Sequence, residues 1–209
     1  MFEKAVDARL LLLINNLSRI PELCENFYLA GGTGLTLQLG HRKSFDIDLF
    51  TEKEFNVERY SEIILNLKGR ILREERGTID AIVDGLKLTL LFYPYKMLSE
   101  FHNFAGIRLA DIKDIACMKI VAISQRAEKK DFYDLYEILQ NISPSELKNL
   151  FLEKYGEQKI NCYHILKSFF YFTDVEDSPD VISLKDIKWD KVKDYFIANE
   201  KVLTDSLLC

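Results

Sequence analysis

Apolar and polar positions follow mixed helix and strand periods up to about residue 110, and a helical period after it. In the first stretch, residues 2–17 read as a helix. Phe27 to Ala30 is an apolar run of strand length, Thr33 to Leu39 a short helix, and Phe45 to Phe50 an alternating strand. Residues 54–68 place Tyr60, Ile63, Ile64 and Leu67 on one side of an amphipathic helix. Strand patterns follow, one opening at Ile71-Leu72, one over Ile79 to Val83 and one over Leu86 to Tyr93. Asp84-Gly85 between the last two predicts a hairpin, because that pair supplies the positive φ of a type I′ turn. Pro94 ends the strand, and Gly106 to Leu109 reads as a further one.

From Asp111 onward the spacing predicts helices over 111–125, 130–141, 144–154, 160–172 and roughly 187–206. Asp111 and Ser143-Pro144 read as helix starts. The run Thr-Asp-Val-Glu-Asp-Ser-Pro-Asp over 173–180 reads as a loop. The expected class is α/β (α+β): a small mixed β-sheet core over 1–110 with flanking helices, then a helical region over 111–209.

Composition narrows the classes of function. The 209 residues carry a net charge of −5, with no overall basic field to attract nucleic acid, so a polyanionic partner needs a local patch. Cys24, Cys117, Cys162 and Cys209 are far apart with no CxxC, which reads as free thiols in a reducing cytosol. His41, His102 and His164 form no Cys/His cluster, so no zinc site is expected. The apolar run Leu10 to Ile14 is too short for a signal-peptide core or a membrane span, so the expectation is a soluble cytoplasmic protein.

Four groups of residues carry candidate chemistry. Gly31-Gly32-Thr33 leaves a strand and enters a helix. It is either a tight turn or a place where backbone N–H groups converge on an anion, Thr33 serving a phosphate or capping the helix. Leu37 breaks a Rossmann fingerprint, and His41 after Gly40 breaks a Walker loop. Asp46 and Asp48 alternate with Phe45, Ile47 and Leu49, which puts both carboxylates on one strand face, where they repel unless a cation lies between them. Lys119 falls on the apolar stripe Ile112, Ile115, Ala116, Ala122 and Ile123, either snorkelling to its edge or facing a triphosphate. Asp131 suits a first helical turn, whereas Asp134 borders the apolar face of Leu135 and Ile138; Lys129 and Lys130 read as a solvated basic turn.

These residues together resemble a family. Gly31-Gly32-Thr33, His41-Arg42-Lys43-Ser44, Asp46-Ile47-Asp48-Leu49-Phe50, the run from Asp114 to Lys119, Arg126, and Lys130-Asp131-Phe132-Tyr133-Asp134-Leu135 are similar to the AbiEii-type nucleotidyltransferases. These are toxin components of bacterial type IV toxin–antitoxin and abortive-infection systems, within the DNA polymerase β-like superfamily. The likeness runs from about residue 25 to 140. It implies a nucleotidyltransferase core whose active site the helical region completes, with Mg²⁺ and an NTP as cofactor and substrate. The acceptor would be tRNA or protein, with a cognate antitoxin as partner and no membrane. By position, Asp46 and Asp48 would bind the metal. Gly31, Gly32, Thr33, Arg42, Ser44 and Lys119 would hold the nucleotide. Asp46, Asp48, Lys119 and Asp134 would be catalytic. The resemblance places a third carboxylate where Thr89 stands, with Asp80 and Asp84 on the preceding strand as substitutes if the geometry allows. Two alternatives stay open: a nucleotide-binding module with degenerate catalysis, and a nucleotidyltransferase acting on small molecules.

Overall fold

The computed structural model describes residues 1–156 and 162–207. The chain forms two compact units. The first comprises Met1–Gly40, Ser44–Lys96 and Glu100–Asp111; the second comprises His41–Lys43, Met97–Ser99 and the chain from Ile112 onward.

In the first unit the elements run α1 (Ala8–Leu17), α2 (Pro21–Asn26), β1 (Tyr28–Leu29), α3 (Gly31–Leu39), β2 (Asp46–Thr51), α4 (Val57–Asn66), β3 (Arg70–Glu75), β4 (Thr78–Val83), β5 (Leu86–Phe92), β6 (His102–Phe104) and β7 (Ile107–Leu109). The seven strands form one sheet in the order β3-β4-β5-β2-β1-β7-β6. Strand β2 is parallel to β5 and β1 to β7, and the other neighbours are antiparallel, so the sheet is mixed as expected. Alternation along the central strands decides its two faces. Ile47 and Leu49, Ile79, Ala81 and Val83, and Leu86, Leu88 and Leu90 are buried together with Leu10, Leu13, Ile14 and Leu17 of α1 and Ile63 and Ile64 of α4. The opposite face carries Asp46 and Asp48, Asp80, and Lys87 and Thr89, all partly or fully exposed.

The Asp84-Gly85 turn sets the register of β4 against β5. Both residues have positive φ, 52° and 77°, as a type I′ turn requires. The pairing Val83↔Leu86 next to it propagates to Asp80↔Thr89. A second hairpin, turning at Ala105-Gly106, joins β6 to β7; only β7 was expected.

The second unit contains α5 (Ile112–Gln125), α6 (Lys129–Ile138), α7 (Pro144–Tyr155), α8 (Cys162–Phe169), α9 (Thr173–Glu176), α10 (Trp189–Ala198) and α11 (Glu200–Leu207). Its core is aromatic: Phe132 meets Phe172, Trp189 and Phe196 at centroid distances of 5.2–5.9 Å. Lys154 and Asp114 form a fully buried pair at 2.6 Å, and the same carboxylate accepts the backbone N–H groups of Leu98 and Ser99. That tie binds Met97–Ser99 to the helices of this unit.

Several boundaries differ from expectation for local reasons. The helix expected over 2–17 is broken, because Asp7 accepts from the Arg9 N–H as N-cap and Val6 leaves to bridge Ser44. Pro21, at the first turn of α2, starts a helix that the pattern did not reveal. The helix over 187–206 is two, interrupted at Asn199, and the loop over 173–180 contains α9. The first residues of the helix expected over 160–172, Cys209 and the side chain of Cys162 lie outside the described residues. Cys24 and Cys117 are free thiols, and burial pushes that of Cys117 up to about 12. Among the described residues, no helix is long and apolar enough to cross a membrane.

A Cβ on Gly85 would stand in open space, so Gly85→Ala strains only the backbone. The expected loss of stability is about 1 kcal/mol, read from urea unfolding monitored by circular dichroism.

Candidate active site

The first cluster belongs wholly to the sheet unit. Chain leaving β1 turns at Gly31, whose φ of +62° lies in the left-handed region. A Cβ there would sit 2.5 Å from Asp48 Oδ2 and 3.2 Å from Asp48 Cβ, so a side chain would strain the turn and push the carboxylate aside. The turn opens α3, and Ala30 caps it with no side-chain hydrogen bond. The Asp48 carboxylate therefore lies against the N-terminal turn of a nine-residue helix, where the helix dipole favours negative charge. Ala30 N–H also donates to the Asp48 carbonyl at 3.2 Å, which pins turn and strand together.

Thr33 and Ser44 are buried and engaged inside the fold. Thr33 Oγ1 donates to the Asp46 carbonyl at 2.5 Å and lies 2.9 Å from Ser44 Oγ. They fasten α3 to the start of β2. Asp46 and Asp48 share the partly exposed face of β2, while Ile47 and Leu49 fill the core. Phe45, expected on the apolar face, precedes the strand and is 48% exposed.

Thr89 stands in one row with both neighbours, opposite Asp48 on β2 and opposite Asp80 on β4. Its hydroxyl donates to Asp80 Oδ1 at 2.8 Å, and Lys87 Nζ lies 3.8 Å from the same oxygen. Asp84 is in the hairpin turn rather than on the strand, and is exposed. Among the described residues, no three His, Cys, Asp or Glu side chains are grouped so as to hold a metal ion.

The second cluster belongs wholly to the helical unit and is a buried charge node. Asp134, fully buried, accepts from Arg42 Nε at 2.6 Å and Arg42 Nη2 at 2.8 Å. Lys119 Nζ lies 2.6 Å from Asp134 Oδ2 and 2.9 Å from Asp131 Oδ1. His41 Nε2 is 2.6 Å from Asp134 Oδ1. Arg126 reaches Asp131 through Nε and Nη2 at 3.1 and 3.2 Å. Backbone bonds hold the segment that supplies His41 and Arg42: Lys43 N–H to the Ile182 carbonyl and Leu184 N–H to the His41 carbonyl.

Electrostatics decide the charge states of the node. Burial pushes the Asp134 carboxyl up, but Arg42 and Lys119 outweigh it and hold it well below the usual carboxylate range. Burial raises Asp131 likewise, and Lys119 and Arg126 bring it below its ordinary value. For Lys119 burial works against the charge, and Asp131 and Asp134 raise its pKa nonetheless. Lys119 is thus a buried ion-pair member rather than a snorkelling edge residue. Asp131 is also fully buried, and Lys129, expected in solvent, is buried with Nζ 2.9 Å from Asp180.

The candidate site residues accordingly fall into two sets. Gly31, Gly32, Thr33, Ser44, Asp46 and Asp48 are in the sheet unit, and Arg42, Lys119 and Asp134 in the helical one. Residue-by-residue reading missed the His41 contact to Asp134 and the burial of Asp131. A histidine beside an arginine, and an acid in a first helical turn, look the same whether paired or solvated. The family pattern contained His41, Arg126 and Asp131 without saying how they pair.

Residues 16–96 and 78–197 match the family model described as nucleotidyl transferase AbiEii toxin, type IV TA system. An uncharacterized protein of Aquifex aeolicus (strain VF5) is 40% identical over 181 residues, covering 83% of this chain and 86% of that protein. The crystal structure of JHP933 from Helicobacter pylori is similar in fold, with a TM-score of 0.54 and 17% identity over 95% of this chain and 91% of that one. MenT4, the nucleotidyltransferase toxin Rv2826c from Mycobacterium tuberculosis H37Rv, gives a TM-score of 0.52 and 12% identity over 97% and 93%.

Removing one partner of a buried ion pair leaves an uncompensated charge, so Asp134→Asn is expected to cost about 3–5 kcal/mol at pH 7. Because the folded pKa of Asp134 is depressed, its contribution is complete above the unfolded value and is lost as pH falls toward the folded one. Urea unfolding of both proteins checks this. The gap between them is constant at neutral pH and narrows below about pH 4.

Proposed function

The chain belongs to the AbiEii family of nucleotidyl transferase toxins, and on that premise we propose that it transfers a nucleotide from an NTP to a tRNA or protein acceptor with Mg²⁺ at Asp46 and Asp48. One observation carries this reading. The Asp48 carboxylate, on the same face of β2 as Asp46, lies against a glycine turn that opens a helix, where a Cβ would stand 2.5 Å from its Oδ2.

The donor set suits the ion. Mg²⁺ takes one or two carboxylates and completes an octahedron with phosphate oxygens and water. Asp46 and Asp48 supply two carboxylates on one face, and the backbone amides of Gly31 and Gly32 at the start of α3 would face phosphate oxygens. Bound there, the metal would draw charge from the α-phosphate and the leaving pyrophosphate. The chain's own residues supply positioning. Thr33 and Ser44 fasten α3 to the start of β2, the strand that carries both carboxylates. Arg42, four residues before Asp46 in sequence, is held in a bidentate pair by Asp134, and Lys119 closes that node. A cognate antitoxin would restrain the activity, as type IV toxin membership implies.

The Thr89 position favours one rival, a module that binds nucleotide without turnover. Incubation with each α-labelled NTP, total tRNA and the protein itself separates them. The expected result is label on an acceptor with wild type and a loss of at least about 10²-fold in an Asp46→Ala/Asp48→Ala variant. Equal background from both proteins with all four NTPs contradicts nucleotidyl transfer. Binding without label supports the rival.

A further inference from the structure

The open face of the sheet holds a hydrogen-bonded pair that the proposed metal site does not use. Asp48, Thr89 and Asp80 occupy one row across β2, β5 and β4. Strands are about 4.8 Å apart, so Thr89 lies one strand, and Asp80 two strands, from the strand that carries Asp48. Among the described residues, Asp46, Asp48 and Asp80 do not form a group placed to hold one metal ion together.

What the row does contain is a polarised hydroxyl. Thr89 donates its hydrogen to Asp80 Oδ1 at 2.8 Å, so its oxygen lone pairs are left to accept. A hydroxyl that donates to a carboxylate is a stronger acceptor than a free one. Lys87 Nζ lies 3.8 Å from Asp80 Oδ1. The Asp80 side chain is 19% exposed, so a proton it gains has a route to water. Thr89 is also partly exposed, on the face that carries Asp46 and Asp48.

We propose that Thr89 and Asp80 form the proton relay for the acceptor hydroxyl, with Thr89 as the catalytic residue and Asp80 as the proton sink behind it. This rests on the nucleotidyl-transfer reading above. The acceptor O–H donates to Thr89 Oγ1. As the acceptor oxygen bonds to the α-phosphorus, the bond from that phosphorus to the β-phosphate oxygen breaks and its electron pair leaves on pyrophosphate. The acceptor's proton passes to Thr89 Oγ1 while the original Thr89 proton passes to Asp80 Oδ1. Thr89 is regenerated as a neutral hydroxyl, and Asp80 returns its proton to solvent. The carboxylate is thus supplied from β4, through a hydroxyl on β5.

The test measures steady-state transfer of α-labelled nucleotide by wild type, Asp80→Asn, Thr89→Val, Thr89→Ser and the Asp80→Asn/Thr89→Val pair. Circular dichroism and NTP calorimetry are run on each variant. Asparagine still accepts from Thr89 but takes no proton, so kcat should fall about 10²–10³-fold with KM for the NTP unchanged within about twofold. Thr89→Val should lose as much, Thr89→Ser should keep most of the activity, and the double variant should be no worse than either single one. Wild-type kcat in Asp80→Asn or Thr89→Val, a rise in KM alone, additive losses, or a Thr89→Ser loss equal to that of valine would each overturn the relay. Those outcomes leave nucleotidyl transfer standing. Wild type that transfers nothing to any acceptor defeats that reading and the relay together.

Discussion

Gly31 is the point on which the sheet unit's chemistry depends. The chain must turn from β1 into α3 close enough to β2 for the Asp48 carboxylate to lie against the helix start, and a Cβ there would stand 2.5 Å from Asp48 Oδ2. A positive φ and a missing side chain meet that demand in one residue. The helix then offers its N-terminal dipole to the same space that β2 supplies with carboxylates. Phosphates and a divalent cation have opposite needs, and a seat for a metal-bound triphosphate must satisfy both. In the proposed site the two sets of groups would come from consecutive elements, α3 and β2, fastened by Thr33, Ser44 and the Asp46 carbonyl.

The helical unit solves a different problem, that of holding an arginine and a lysine in a dry interior. Asp134 and Asp131 are fully buried, and each faces at least two cationic side chains. Burial disfavours every charge in the node, and the mutual attractions overcome it, so carboxyl pKa values fall and that of Lys119 rises. Such a node fixes the direction of the Arg42 guanidinium through two parallel hydrogen bonds. It also anchors His41–Lys43, the segment that leads in sequence to Asp46.

Legibility in the sequence followed the range of the interactions. Asp84-Gly85 specified a hairpin because the turn depends on two residues' own φ preferences, and both φ values came out positive. The Asp46/Asp48 alternation was readable because a half-buried strand must alternate. By contrast β6 was not read, since three residues with His102 and Asn103 exposed carry too little apolar pattern. The break at Asn199 was missed because both flanks keep a helical period while only one residue leaves it. The buried charges were the hardest: periodicity counts Asp131 and Lys129 as surface residues, and their partners, Lys119 and Arg126 for the one and Asp180 for the other, make burial tolerable. That Thr89 pairs with Asp80 was not legible, because the cross-strand register sets it.

The account stands on Asp46 and Asp48 holding a metal together with the nucleotide, and a binding measurement reaches that without requiring turnover. Calorimetry would titrate a non-hydrolysable α,β-methylene NTP into wild type and into Asp46→Asn/Asp48→Asn, each with Mg²⁺ and with EDTA. Amides keep the shape of the two side chains and remove their charge. The account predicts binding to wild type with Mg²⁺ that weakens at least about tenfold in EDTA and equally in the variant, whose affinity no longer responds to the metal. Equal affinity in all four titrations would contradict it.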